Sequence, residues 1–158
     1  MKKLLFGTTN AAKLDEARHV MRESGIEVLG LKDISGIRQV PETGETFEEN
    51  AVLKAKGYFA QTGIPTIADD GGLMIDALGG LPGVHSHRWL GYDARDQELA
   101  EAVLKRLEGI PPENRTARLG GVMVFWDGEH LIKKEHEEVN HRRKNLAALI
   151  PDILELLR

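Results

Sequence analysis

The sequence predicts an α/β fold, and three observations predict it. Apolar runs at Lys3 to Thr8 and Glu27 to Leu31 flank an amphipathic stretch after Asn10, giving strand–helix–strand order. Thr46-Phe47-Glu48-Glu49 has the form of a capping box and opens a second helix, which leads through Gly63-Ile64-Pro65 into another apolar run. Arg115 to Trp126 alternates like a strand and ends on Asp127-Gly128, a hairpin signal. The 158 residues show no repeat and no low-complexity linker, so residues 1–158 read as a single domain with a sizeable core.

In order, the first strand ends at Thr8 and Asn10 caps the first helix. That helix buries Leu14, Ala17 and Met21, spaced by three and four, and stops at Gly25. Residues 32–45 carry Gly36, Pro41 and Gly44 and read as loop. The second helix covers roughly 47–62. The next strand, Ile64 to Ala68, ends on Asp69-Asp70, and 71–90 read as extended or looped. Asp96 to Leu107 forms a helix with Leu99, Val103 and Leu107 on one face. After the Arg115–Trp126 strand, His130 to Val139 forms a return strand. Asn145 to Leu157 is amphipathic, with Pro151 restarting or kinking the helix.

Composition narrows the function classes. A net charge of −4 argues against general nucleic-acid binding. Cysteine is absent, which removes disulfides and thiolate chemistry. The basic-then-apolar start is cut short at Thr8, too early for a signal peptide, and no apolar stretch is long enough to span a membrane. The expectation is a cytoplasmic protein with neither a membrane nor a nucleic-acid partner.

The chemistry concentrates around Asp69-Asp70. Adjacent carboxylates at the end of a buried strand are costly to desolvate and call for a cation, hydrogen-bond donors or a proton. Asp76-Ala77-Leu78-Gly79-Gly80-Leu81-Pro82-Gly83 adds a third acid and a glycine-rich turn. Thr8-Thr9-Asn10-Ala11-Ala12-Lys13 joins strand to helix, where a helix N-terminus with neutral donors and one lysine can cradle phosphate. Taken alone it is equally a plain N-cap with a surface lysine. Asn50 and Lys54 share a helical face and could present a donor pair, although a solvated Glu–Lys face has the same pattern. Glu42 with Asp70 would supply the hard oxygens that magnesium takes. Arg88 could clamp a phosphate, His85 and His87 read as ordinary surface residues, and Asn140-His141-Arg142-Arg143-Lys144 is a basic cluster opening the last helix.

The ordered set of these motifs resembles the inosine triphosphate pyrophosphatase, or Ham1, family. The matches are Thr8 to Lys13, Glu42 to Ala55, Ala68-Asp69-Asp70-Gly71-Gly72-Leu73, Asp76 to Val84 with Ser86 and Arg88, and His141-Arg142. The resemblance implies an elongated mixed sheet with flanking helices, two lobes around a central cleft, and a homodimer. It implies a magnesium-dependent hydrolase that cleaves purine nucleoside triphosphates to monophosphate and pyrophosphate. Asp70 would hold magnesium with Glu42 and activate water. Lys13 and Lys54 would share the catalytic work. Thr8, Thr9, Asn10, Asn50 and Gly71 would line the substrate, Arg88 its phosphates, and His141 with Arg142 the base.

The sequence also departs from the family pattern. Gly71 stands where the family has serine, and Asn140 where it has serine before His-Arg. The family's Gly-Phe-Gly-Tyr-Asp-Pro segment, which packs an aromatic ring on the base, has no counterpart between Trp126 and His141. The family's nearby lysine has no clean match, with His136, Lys133 and Lys134 the nearest candidates. The chain therefore reads as a shortened member with altered base selectivity. The competing readings are a catalytically silent nucleotide- or partner-binding protein, and a pyrophosphatase acting on another phosphoanhydride, with the base pocket reshaped by Trp89, Trp126 or a subunit neighbour.

Overall fold

The computed structural model describes residues 2–92, 95–136 and 151–157, with the side chains of residues 87, 88, 96 and 136 outside the description. The strands are β1 (Lys2–Phe6), β2 (Ile26–Gly30), β3 (Thr66–Ile75), β4 (Leu81–Pro82), β5 (Ala117–Trp126) and β6 (Leu131–His136). The helices are α1 (Ala11–Met21), α2 (Phe47–Thr62), α3 (Asp96–Arg106) and a last one, α4, at 151–156. The strands form one mixed sheet in the order β2-β1-β3-β5-β6, with β4 paired to β3. β1 runs parallel to both β2 and β3, whereas β5 and β6 form an antiparallel hairpin. This is the predicted α/β class with a mixed sheet and flanking helices.

The chain divides into two compact units. The first comprises residues 1–70, 121–136 and 140–158, and the second 71–120 and 137–139. In the first, strand alternation sorts the core into two layers. Leu4, Phe6, Ile67, Met123 and Phe125 point to the α1 side, where they pack with Ala17, Met21 and Ile153. Ala68, Val122 and Val124 point to the α2 side and meet Ala51 and Ala55. The second unit is built around Ile75, Val103 and Leu107, with Trp89 against them and the Arg106 guanidinium 4.1 Å from the Trp89 ring centre.

The helix starts follow the sequence closely. Asn10 Oδ1 accepts hydrogen bonds from the Ala12 and Lys13 N–H groups, and Thr46 Oγ1 accepts one from Glu49 N–H. The returning arm of the capping box is displaced by one residue, because Glu49 Oε2 takes the N–H of Glu45. α2 ends as predicted at Gly63, which adopts φ +66.

Strand limits differ for local reasons. β1 stops at Phe6, since the Thr8 N–H turns back to the Phe6 carbonyl. β6 starts at Leu131, because Asp127 Oδ1 takes the N–H groups of both Glu129 and His130. The larger correction concerns β3, which does not end on the acid pair but continues to Ile75. Met74 and Ile75 pair with Pro82 and Leu81, so the glycines after Asp70 lie within a strand rather than starting a loop. Gly72 is needed there because a Cβ would lie 2.5 Å from Ser86 Oγ and 2.7 Å from the Gly83 carbonyl oxygen. The predicted helix between 145 and 150 lies outside the described residues.

Candidate active site

Asp69 and Asp70 are consecutive on β3 and therefore face opposite layers. Asp69 follows Ile67 to the α1 side, and Asp70 follows Ala68 to the α2 side. Each meets a lysine there. Lys13 Nζ, in the first turn of α1, lies 2.8 Å from Asp69 Oδ2. Lys54 Nζ, midway along α2, lies 3.3 Å from Asp70 Oδ1 and 2.8 Å from Glu42 Oε2. Three acids and two lysines thus converge from four segments of the first unit. Asp69 is 4% exposed, and the side chains of Lys54 and Asp70 are 12% and 15% exposed.

Such a cluster costs desolvation energy unless its charges are matched. Burial works against the Lys54 ammonium, but the neighbouring charge of Asp70, the bond and charge of Glu42 and the charge of Asp69 outweigh it, so its pKa is raised above the ordinary lysine value. Burial also dominates at Asp70 and, with the repulsion of Glu42, raises its pKa despite the opposing pull of Lys54 and the Asn50 amide. The result is a lysine held charged beside a carboxylate more basic than usual. Asp70 Oδ2 is buried and has no hydrogen-bond partner among the described residues. An oxygen of this kind, with the Glu42 carboxylate on the same lysine, fits a small hard cation that binds one or two carboxylates and completes its shell with water and phosphate.

The Asn50–Lys54 face predicted on α2 is present, but the two residues do different things. Asn50 is 2% exposed, and its Oδ1 accepts a 2.7 Å hydrogen bond from the Gly44 N–H. It ties the loop carrying Glu42 to the helix carrying Lys54. A Cβ on Gly44 would sit 2.8 Å from that same oxygen, so the loop must have glycine to come this close. Sequence spacing suggested a pair of outward donors and missed this bracing bond.

Thr8, Thr9 and Asn10 precede α1 as expected. Thr8 Oγ1 accepts from the Asn10 N–H, while Asn10 spends its amide oxygen on the cap. Their remaining donors, with the Lys13 ammonium, give this turn the chemistry of an anion cradle. Gly7, just before it, is packed so closely that a Cβ would lie 2.6 Å from the Tyr58 ring.

The remaining predicted site residues belong to the second unit or lie outside the description. Gly71 and the backbone of Arg88 belong to the second unit, as does Asp76, whose carboxylate is taken by Thr116 at 2.6 Å and Arg118 at 3.1 Å. His141 and Arg142 lie outside the described residues, and so does the Arg88 side chain. Lys133, a candidate replacement for the family lysine, pairs with Glu48 in the first turn of α2 at 2.8 Å. Trp126 packs on another stripe of α2, with Lys56 4.6 Å from its ring centre and Phe59 edge-on at 6.5 Å. Among the described residues, no group of three or more His, Cys, Asp or Glu is placed to hold a metal.

A sequence model described as the Ham1 family matches residues 4–142. The chain is 42% identical over 125 residues to a dITP/XTP pyrophosphatase of Yersinia pseudotuberculosis, covering 79% of this chain and 63% of that protein. It is 47% identical over 118 residues to a dITP/XTP pyrophosphatase of Geobacillus kaustophilus, covering 75% and 58%. The chain thus spans about three-fifths of the length of these curated relatives. Among solved structures, a HAM1 protein from Coxiella burnetii superimposes with a TM-score of 0.77 at 34% identity, covering 87% of this chain and 72% of that one. The nucleoside-triphosphatase / dITP/XTP pyrophosphatase from Mycobacterium abscessus gives 0.73 at 37% identity, covering 85% and 71%.

Proposed function

The chain belongs to the Ham1 family, and on that premise we propose that it hydrolyses purine nucleoside triphosphates to monophosphate and pyrophosphate. Relatives sharing 42% and 47% identity are dITP/XTP pyrophosphatases, which supports non-canonical purines as the substrate class. The observation that carries the proposal is Lys54 bridging Glu42 and Asp70 next to a buried Asp70 oxygen that has no hydrogen-bond partner among the described residues. The reading includes a magnesium ion, a homodimer and a cytoplasmic setting, within one ITPase-like domain.

Asp70 and Glu42 would hold the cation, which would supply charge neutralisation at the phosphates and a lowered pKa of water. The Asp70 carboxylate accepts the proton of the water that attacks the α-phosphorus. Lys54, held charged by its acidic neighbours, stabilises the charge that grows on the phosphate oxygens. Thr8, Thr9, Asn10 and Lys13 bind the triphosphate, assisted by Asn50, Gly71 and Arg88, and His141 with Arg142 read the base. A stacked base contributes about 1–3 kcal/mol in nucleic-acid recognition. Without the aromatic segment, base discrimination is expected to be relaxed relative to the family.

A second reading, a nucleotide-binding protein without turnover, is favoured by Gly71 in place of serine. Pyrophosphate release measured with magnesium and ITP, XTP, dITP or standard nucleotides separates the two. The proposal expects turnover of at least one triphosphate, and tight binding without turnover of any would overturn it.

A further inference from the structure

Asp69 is a buried acid with no place in the mechanism above. Its neighbours on the same layer are apolar, including Ile67 on its own strand and Phe6 and Leu4 on the next. An aliphatic side chain there would extend the core, whereas an ionised carboxylate at 4% exposure must be compensated. The compensation includes Lys13, whose ammonium lies 2.8 Å away and whose side chain is 21% exposed. Lysine otherwise carries high rotamer entropy in its flexible stem. With one of its three donors on Asp69, the ammonium is fixed at the start of α1 and two donors remain.

We propose that Asp69 is a positioning residue for the triphosphate, acting through Lys13. It holds the ammonium where phosphate oxygens bind at the Thr8–Lys13 turn, as Glu42 and Asp70 hold Lys54 on the opposite face of β3. This inference rests on the nucleotide-hydrolase reading for the identity of the ligand. It assigns consecutive aspartates separate tasks, Asp70 at the reacting water and Asp69 behind a phosphate-binding lysine.

Plain electrostatics and positioning predict opposite signs. Removing a negative charge beside an anion site tightens anion binding, whereas loss of a tether weakens it. Inorganic tripolyphosphate is titrated calorimetrically into the wild type, Asp69→Asn, Lys13→Ala and the double variant, with magnesium and with chelator. Asp69→Asn is expected to weaken binding about tenfold, the scale of one charge-assisted hydrogen bond. Lys13→Ala weakens it at least as much, and adding Asp69→Asn to Lys13→Ala changes nothing further. In turnover, Asp69→Asn raises KM more than it lowers kcat.

A purely structural pair would lower the melting temperature and leave the affinity of the folded protein unchanged. That result would overturn the proposal. So would tighter binding by Asp69→Asn, an undiminished effect of Asp69→Asn in the Lys13→Ala background, or no binding by the wild type in either condition. Failure of the hydrolase reading looks different: tripolyphosphate binds and the cycle is non-additive, yet no nucleotide releases pyrophosphate.

Discussion

Asn50 Oδ1 accepts a 2.7 Å hydrogen bond from the Gly44 N–H, a buried contact that helps join the loop of Glu42 to the helix of Lys54. Asn50 is 2% exposed, so Asn50→Ala leaves the Gly44 N–H without its partner and opens space next to Asp70. An unsatisfied buried group costs about 1–3 kcal/mol. Urea denaturation should show a loss of that size. The freed loop should also separate Glu42 from Lys54, so that pyrophosphate release falls even at temperatures where the variant is fully folded. Retention of full activity by folded Asn50→Ala would mean that the brace has no part in catalysis.

Asp70 carries a pH signature. Burial makes its carboxyl bind a proton more tightly in the folded chain than in the unfolded one, so its pKa is raised on folding. Its contribution to stability is therefore complete below the ordinary carboxylate range and is lost as pH rises through the raised folded value. Asp70→Asn removes this dependence. With chelator present, the melting temperature of Asp70→Asn minus that of the wild type should increase as pH rises above the ordinary carboxylate range, then level off. Pyrophosphate release by the same variant should fall by about 10²–10⁴, the scale of general acid–base catalysis. A temperature gap that does not change with pH would show that Asp70 is not shifted.

Glu42 tests the metal assignment separately from the base. Its carboxylate shares Lys54 with Asp70 and is 30% exposed, so Glu42→Gln preserves shape at small cost to the fold. If Glu42 helps hold magnesium, loss of its charge should raise the magnesium concentration for half-maximal activity by about tenfold or more. Saturating magnesium should restore much of the rate. Chelator should abolish wild-type turnover and magnesium should return it. An unaltered magnesium dependence in Glu42→Gln would remove this residue from the metal site.

Much of this arrangement was legible in the sequence because it depends on local rules. Asn10, Thr46 and Gly63 mark helix ends through capping and left-handed backbone, which act within a few residues. The pairing of Asp69 with Lys13 was not legible in the same way. Strand alternation can separate Asp69 from Asp70 on paper, but only the packing of α1 and α2 on opposite layers says which lysine each one meets. The continuation of β3 past Asp70 was hidden for a related reason. Residues 71–90 read in the sequence as extended or looped, whereas Gly72 is there because Ser86 and the Gly83 carbonyl leave no space for a side chain. Asn50 looked outward by spacing, because its partner Gly44 is held in a loop whose path no periodicity encodes.

Gly7 offers a packing test beside the phosphate turn. A Cβ at this position would lie 2.6 Å from Cδ2 and 3.1 Å from Cε2 of Tyr58, and 3.5 Å from the Ala68 Cβ. Tyr58 is 2% exposed, so its ring has little freedom to yield. Gly7→Ala should cost about 1–3 kcal/mol through overpacking. Because Gly7 leads directly into Thr8, the strain should also appear as weaker tripolyphosphate binding. Tyr58→Phe should not relieve it, since the clash is with the ring edge rather than the hydroxyl, whereas Tyr58→Leu in the Gly7→Ala background should recover part of the binding. Wild-type stability in Gly7→Ala would show that the ring moves aside at no cost.

The residue after Asp70 bears most directly on how active this chain can be. Gly71 stands where the resemblance places serine, so under the proposed function the substrate would lack one hydroxyl donor next to the carboxylate assigned to water activation. A hydrogen bond to a charged group contributes about 1.5–3 kcal/mol, equivalent to roughly ten- to a hundredfold in kcat/KM when it forms in the transition state. Gly71→Ser should therefore raise kcat/KM for ITP or XTP within that range. If the hydroxyl meets a phosphate oxygen only as charge accumulates, the gain should lie in kcat. If it binds ground state and transition state alike, the gain should appear as a lower KM. Equal improvement with every base would place the contact at the phosphates, and improvement confined to inosine and xanthosine nucleotides would place it at the base. A Gly71→Ser variant that folds like the wild type and gains nothing would show that the missing hydroxyl does not limit turnover by this chain.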